Sequence, residues 1–119
     1  MLNRFDETEM RAALLESWSL QTAKQWTQET PAAGQCNVTA VVVHDLFGGD
    51  ILKTDLPGYD VDHFYNRIDG VVVDLTDGQF SAPVTYDDEP ASREEAMQCV
   101  LASEYDTLRA ALLARLKQQ

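Results

Sequence analysis

Apolar residues at Met10, Ala13, Leu14 and Trp18 recur at helical spacing, which predicts a buried stripe on a helix over residues 6–18. Ser19-Leu20-Gln21-Thr22 then predicts a bend or restart, with the helix resuming towards Trp26. Thr30-Pro31-Ala32-Ala33-Gly34 reads as a connector, because Pro and Gly both interrupt regular structure. Over residues 36–47 two signals compete. Val41-Val42-Val43 favours a strand by propensity, whereas Ala40, Val43 and Phe47 keep 3–4 spacing and Gly48-Gly49 offers a left-handed cap. The expectation is a buried helix starting at Cys36.

Further on the period shortens. Residues 51–53 begin the strand portion, 55–60 read as a loop, and two β-rich runs, 61–68 and 71–76, flank Asp69-Gly70. That dipeptide predicts a tight hairpin, since both positions tolerate positive φ. Residues 77–91 read as irregular, with Pro83 and Pro90 as breakers. Ser92-Arg93-Glu94-Glu95 has the form of a capping box and predicts a helix to about Ala102. Ser103 is expected to cap a last helix carrying Tyr105, Leu108, Leu112, Leu113 and Leu116. Helices first, an antiparallel sheet in the middle and helices last make an α+β fold, in a single domain over residues 1–119.

Composition narrows the functional classes. Twenty acidic against nine basic side chains give a net charge of −11, a field that repels a phosphate backbone, so no nucleic-acid partner is expected. No apolar run approaches a membrane span, and the opening residues turn acidic without a secretory core, so no membrane association and a cytoplasmic location are expected. The two cysteines, Cys36 and Cys99, form no CxxC pair, and a disulfide between them is not expected in the cytosol. Gly48-Gly49 sits in neither a GxGxxG nor a P-loop pattern, and no cofactor is expected.

The chemistry concentrates on Gly34-Gln35-Cys36. A cysteine at a helix start gains reactivity because unpaired N–H groups there stabilise a thiolate. If Asp69 and Gly70 are the central turn residues, cross-strand partners have numbers summing to 139, so Tyr65 faces Asp74 and His63 faces Thr76. His63 and Asp74 are then diagonal neighbours on one face, with Cα atoms roughly 7–8 Å apart. Asp74 is expected to accept the Nδ1–H of His63 and aim Nε2 outward, the support a nucleophile's base needs. A one-residue slip would send the two to opposite faces.

His44 lies eight residues beyond Cys36, roughly 12 Å along a helix, and is expected to pack or cap near the helix end. Asp62 points to the face opposite His63, and Cys99, inside a helix, is expected to be packing. The same Cys36, His63 and Asp74 offer three zinc ligands, but no local pair such as HExxH accompanies them and no metal is expected. Cysteine, histidine and aspartate in this chain order match papain-like and transglutaminase-like enzymes.

Beyond these residues, Ser17-Trp18-Ser19, Val38-Thr39-Ala40, Gly48-Gly49-Asp50-Ile51-Leu52, His63-Phe64-Tyr65-Asn66-Arg67, Asp74-Leu75-Thr76 and Tyr86-Asp87-Asp88 together resemble the YunG-like family of small bacterial proteins. The resemblance implies a minimal papain-like or transglutaminase-like core with Cys36 as nucleophile, His63 as base and Asp74 as its orienter. It adds Gln35 and Asn66 as substrate or oxyanion candidates. The expected function is a cysteine hydrolase or acyl/amide transferase acting on a peptide or isopeptide amide of a protein or peptide partner. The alternative is a non-catalytic adaptor on the same scaffold.

Overall fold

Asp6 opens the first helix, α1 (Glu7–Ser17), by accepting the Glu9 N–H at 2.9 Å, with Glu7 and Glu9 placed favourably in the first turn. This computed structural model describes residues 4–56 and 61–116; part of the expected loop, 57–60, lies outside them. No helix resumes over residues 19–26. Trp18 turns extended, and the Ser19 N–H donates to the Thr22 hydroxyl (2.9 Å) while the Gln21 N–H donates to the Ser19 hydroxyl (3.1 Å). These short side chains draw the backbone into successive turns as far as Trp26, in place of the expected restart.

The valine run does fold as a helix, α2 (Cys36–Phe47). It is apolar almost all round because it is central: Val38, Val42 and Leu46 join Met10 and Leu14 of α1 and Leu108 and Leu112 of the last helix, while Ala40 and Val41 meet Ile51, Phe64 and Ala96. Gly48 ends it with φ +85 and ψ −154, a glycine-specific conformation but not the expected left-handed helical one.

Four antiparallel strands follow: β1 (Asp50–Thr54), β2 (His63–Ile68), β3 (Val71–Val73) and β4 (Glu89–Ala91), ordered β3-β2-β1-β4. Asp69 and Gly70 have φ of +53 and +80, and the β2–β3 pairs Asn66–Val73, Arg67–Val72 and Ile68–Val71 keep the expected register. The second hairpin strand is shorter than expected. It stops at Val73 because the Asp74 carboxylate accepts from the Thr76 N–H and hydroxyl (3.1 and 3.2 Å), which turns the chain off the ladder. Within residues 77–91, expected to be irregular, β4 pairs with β1 through Ile51–Ala91 and Leu52–Pro90. A proline is tolerated there because β4 is an edge strand.

Ser92 caps α3 (Arg93–Met97) by accepting from the Glu95 N–H at 3.0 Å. This helix is shorter than expected, and the last, α4 (Ala102–Leu116), begins one residue before Ser103, with Glu104 accepting from the Leu101 N–H. The two helices α1 and α4 and one side of the sheet enclose α2, leaving its first turn at the rim of a cleft.

Candidate active site

Gly34 bends the chain into α2 with φ +72, and a Cβ there would fall 2.4 Å from the Gln25 side chain. Gln35 then accepts from the Thr39 N–H through its carbonyl, the first helical bond, without any side-chain cap. The N–H groups at the very start of α2 therefore keep the open donors and partial positive charge of a helix N-terminus. Cys36 is the first residue of that turn, half-buried, its thiol donating to Asn37 Oδ1 at 3.2 Å. Asn37 is anchored in turn, its amide donating to the Ala96 carbonyl at 2.9 Å.

His63 opens β2 and is 1% exposed. Its Nε2 lies 2.7 Å from Asp74 Oδ2, so the diagonal pairing inferred from the turn is made. The contacting nitrogen is the reverse of the expected one. With the carboxylate ionised, Nε2 is the donor of this bond, and Nδ1 lies on the other side of the ring. Tyr65 stacks on the ring at 5.9 Å between centroids, and Phe80 meets it edge-on at 4.8 Å.

Burial alone would lower the proton affinity of His63. The hydrogen bond to Asp74, the charge of Asp74 and the influence of the nearby Cys36 outweigh it and push the pKa up to about 9. Cys36 is thus an electrostatic partner of the ring as well as a wall of the same cleft. Asp74 is 8% exposed, and burial pushes its carboxyl up. The bonds from His63, Tyr86 and the Thr76 N–H more than compensate, holding it below the usual carboxylate range.

Both oxygens of Asp74 are engaged. Oδ2 accepts from Tyr86 Oη (2.7 Å) as well as His63, and Oδ1 accepts from Thr76. The backbone carbonyl of Asp74 accepts from Arg11 Nη2 at 3.0 Å, which ties the turn to α1. Among the described residues no group of three or more His, Cys, Asp or Glu is set to hold a metal ion.

Two further expected residues stand elsewhere. Asn66 is buried on the opposite face of β2 and donates to the Ala40 carbonyl at 3.0 Å, so it joins strand to helix outside the cleft. Gln35 is fully buried, with Oε1 accepting from the Thr22 hydroxyl at 2.9 Å and Nε2 buried without a partner; it does not line the cleft. Cys99 differs from its expected packing role: α3 ends at Met97, so Cys99 falls in an exposed link and lines the cleft with Cys36. Asp62 also lines it and lies 3.8 Å from Lys53. His44 sits at the far end of α2 with Nδ1 buried and unpartnered.

Tyr86 and Phe80, which the periodicity of the chain does not pick out, complete the surroundings of the pair. They come from a stretch outside the helices and strands, and their sequence-level sign is their place in the family-like pattern, at Gln79-Phe80 and Tyr86-Asp87-Asp88. Tyr65 braces the same segment, donating to Asp88 Oδ1 at 2.8 Å and accepting from the Asp88 N–H at 2.7 Å.

The cleft measures about 610 Å³ and is lined by the acidic side chains Asp62, Glu95 and Glu104 besides His63. Among the described residues no helix is long and apolar enough to cross a membrane.

The chain belongs to the YunG family: a model described as "YunG protein" matches residues 6–117. It is 48% identical over 98 residues to the "Uncharacterized protein YunG" of Bacillus subtilis (strain 168), covering 82% of this chain and 84% of the relative. No solved structure matches.

Proposed function

We propose that the chain is a cysteine hydrolase or acyl/amide transferase acting on a peptide or isopeptide amide, with a papain-like or transglutaminase-like arrangement of Cys36, His63 and Asp74. The observation that carries this reading is the buried 2.7 Å His63–Asp74 bond, on a ring that lines the same cleft as Cys36. An imidazole whose proton affinity is raised holds a proton near neutral pH and stabilises a neighbouring thiolate.

In the proposed reaction the Cys36 sulfur forms a bond to the amide carbonyl carbon while His63 Nδ1 holds the thiol proton. The resulting oxyanion is stabilised by the open N–H groups at the start of α2. Collapse breaks the C–N bond as His63 passes its proton to the leaving amine, which leaves a thioester on Cys36. Water or a second amine then attacks the thioester, gives its proton to His63, and releases the thiolate. Asp74 keeps the ring in one tautomer throughout, and Tyr86 and Thr76 keep Asp74 in place. The reading places the protein in a reducing cytosol, where such a thiol stays free.

The test is the iodoacetamide labelling rate of Cys36 at pH 6, with Cys99 of the same molecule as reference and mass spectrometry of the digest as readout. Cys36 is expected to react at least roughly tenfold faster, and His63→Ala to abolish the difference. Equal rates that ignore His63 would overturn the reading and leave the non-catalytic adaptor in its place.

A further inference from the structure

A second cleft, of about 470 Å³, runs beneath the segment Ser81-Ala82-Pro83-Val84-Thr85. It shares Leu56, Gln79 and Phe80 with the cleft that holds Cys36 and His63. Phe80 is also the ring set edge-on against His63 at 4.8 Å. Phe80 therefore borders both spaces as well as the ring of His63, and the two clefts adjoin along Leu56, Gln79 and Phe80. Pockets of roughly 300–1,000 Å³ hold drug-sized ligands, so a small substrate would occupy one of these spaces and leave the other.

The walls of the second cleft are anchored. Thr54 donates its hydroxyl to the Thr85 carbonyl (3.0 Å) and accepts from the Asp87 N–H (2.9 Å), while Gln79 Nε2 donates to the Thr76 carbonyl at 3.1 Å. Between those anchors the N–H groups of Ala82 and Val84 have no acceptor among the described residues, which leaves them free to pair with an extended backbone.

We propose that the substrate is an extended polypeptide that crosses Cys36 and continues beneath residues 81–85. The proposal rests on the reading of Cys36 as the nucleophile.

The experiment uses epoxysuccinyl diamides bearing zero, one or two uncharged residues on each side of the epoxide. The Cys36 sulfur bonds to an epoxide carbon, the C–O bond breaks, and the oxygen takes a proton. Labelling of Cys36 is expected to accelerate about tenfold or more from the shortest to the longest probe, because remote contacts add to the transition state. Ala82→Trp, which enlarges the side chain at an exposed position lining the second cleft, should erase that gain while iodoacetamide labelling stays as in the parent protein. If iodoacetamide labelling depends on His63 but long and short epoxides react alike, or Ala82→Trp changes nothing, the extended substrate is refuted alone. If iodoacetamide labelling ignores His63, the nucleophile reading falls, and this proposal with it.

Discussion

Replacing Asp74 with Asn removes the charge facing His63 while preserving the shape of the side chain, so it isolates what the buried pair contributes. In the folded protein His63 titrates at about 9, against 6.5 for an unperturbed imidazole. A folded value above the unfolded one means stability that is fully present below pH 6.5 and lost as pH rises through 9. At about 1.4 kcal/mol per unit of pKa, that difference corresponds to roughly 3 kcal/mol. Asp74 acts in the opposite sense: its lowered carboxyl contributes above the usual carboxylate range, and the contribution is lost only as pH falls through the depressed value. Between pH 5 and 6 both contributions are therefore in place.

Urea unfolding of the parent protein and of Asp74→Asn at pH 6 and pH 9.5 measures the effect as a difference of differences, in which other titrating groups cancel. The parent should lose roughly 3 kcal/mol more than the variant over this interval. At pH 6 the variant itself should be about 3–5 kcal/mol less stable, the usual cost of removing one partner from a buried pair. An NMR titration of the His63 ring adds the direct readout, with a midpoint that falls well below 9 in the variant. Equal pH dependence in the two proteins would refute the electrostatic reasoning, because it would mean that His63 does not depend on Asp74 for its proton.

Three further outcomes follow from the geometry. Tyr86→Phe removes one of two donors to Asp74 Oδ2 and should cost about 1 kcal/mol in urea unfolding, with Cys36 labelled several-fold more slowly at pH 6; an unchanged labelling rate would remove Tyr86 from the site. Asn66→Ala breaks a buried bond to α2 and should cost about 2–3 kcal/mol in the same assay while leaving iodoacetamide labelling of folded protein untouched; a large loss of labelling would restore Asn66 as a site residue. Gly49→Ala sets a Cβ 2.1 Å from the Arg67 carbonyl oxygen at φ +79, whereas Gly70→Ala at φ +80 meets open space. The first should cost at least about 2 kcal/mol and the second about 1 kcal/mol by thermal melting, and equal losses would contradict the close approach.

The contrast between residues 69–74 and 80–88 shows which parts of the protein were legible before folding. Asp69-Gly70 permits one turn, the turn determines the register, and the register brings His63 within reach of Asp74. Each of those steps is local or propagates along a ladder of period two, so residue order alone was enough. The same holds for the cap at Ser92.

Other features needed the assembled molecule. Whether Val41-Val42-Val43 became helix or strand depended on α1, α4 and the sheet burying all sides of α2, which intrinsic β propensity does not encode. The ring nitrogen that faces Asp74 was set by how the end of β2 meets the chain as it leaves β3, a three-dimensional angle with no sequence counterpart. Tyr86 and Phe80 sit in a stretch without periodicity, positioned by contacts to residues 12 to 33 places away in the chain, so only closure of the fold brought them to Asp74 and His63. Chain order supplied Cys36 at a helix start and the pairing of His63 with Asp74 through short-range backbone rules. The surrounding tyrosine, the phenylalanine wall and the cleft were decided by long-range packing, because they exist only where separate elements come together.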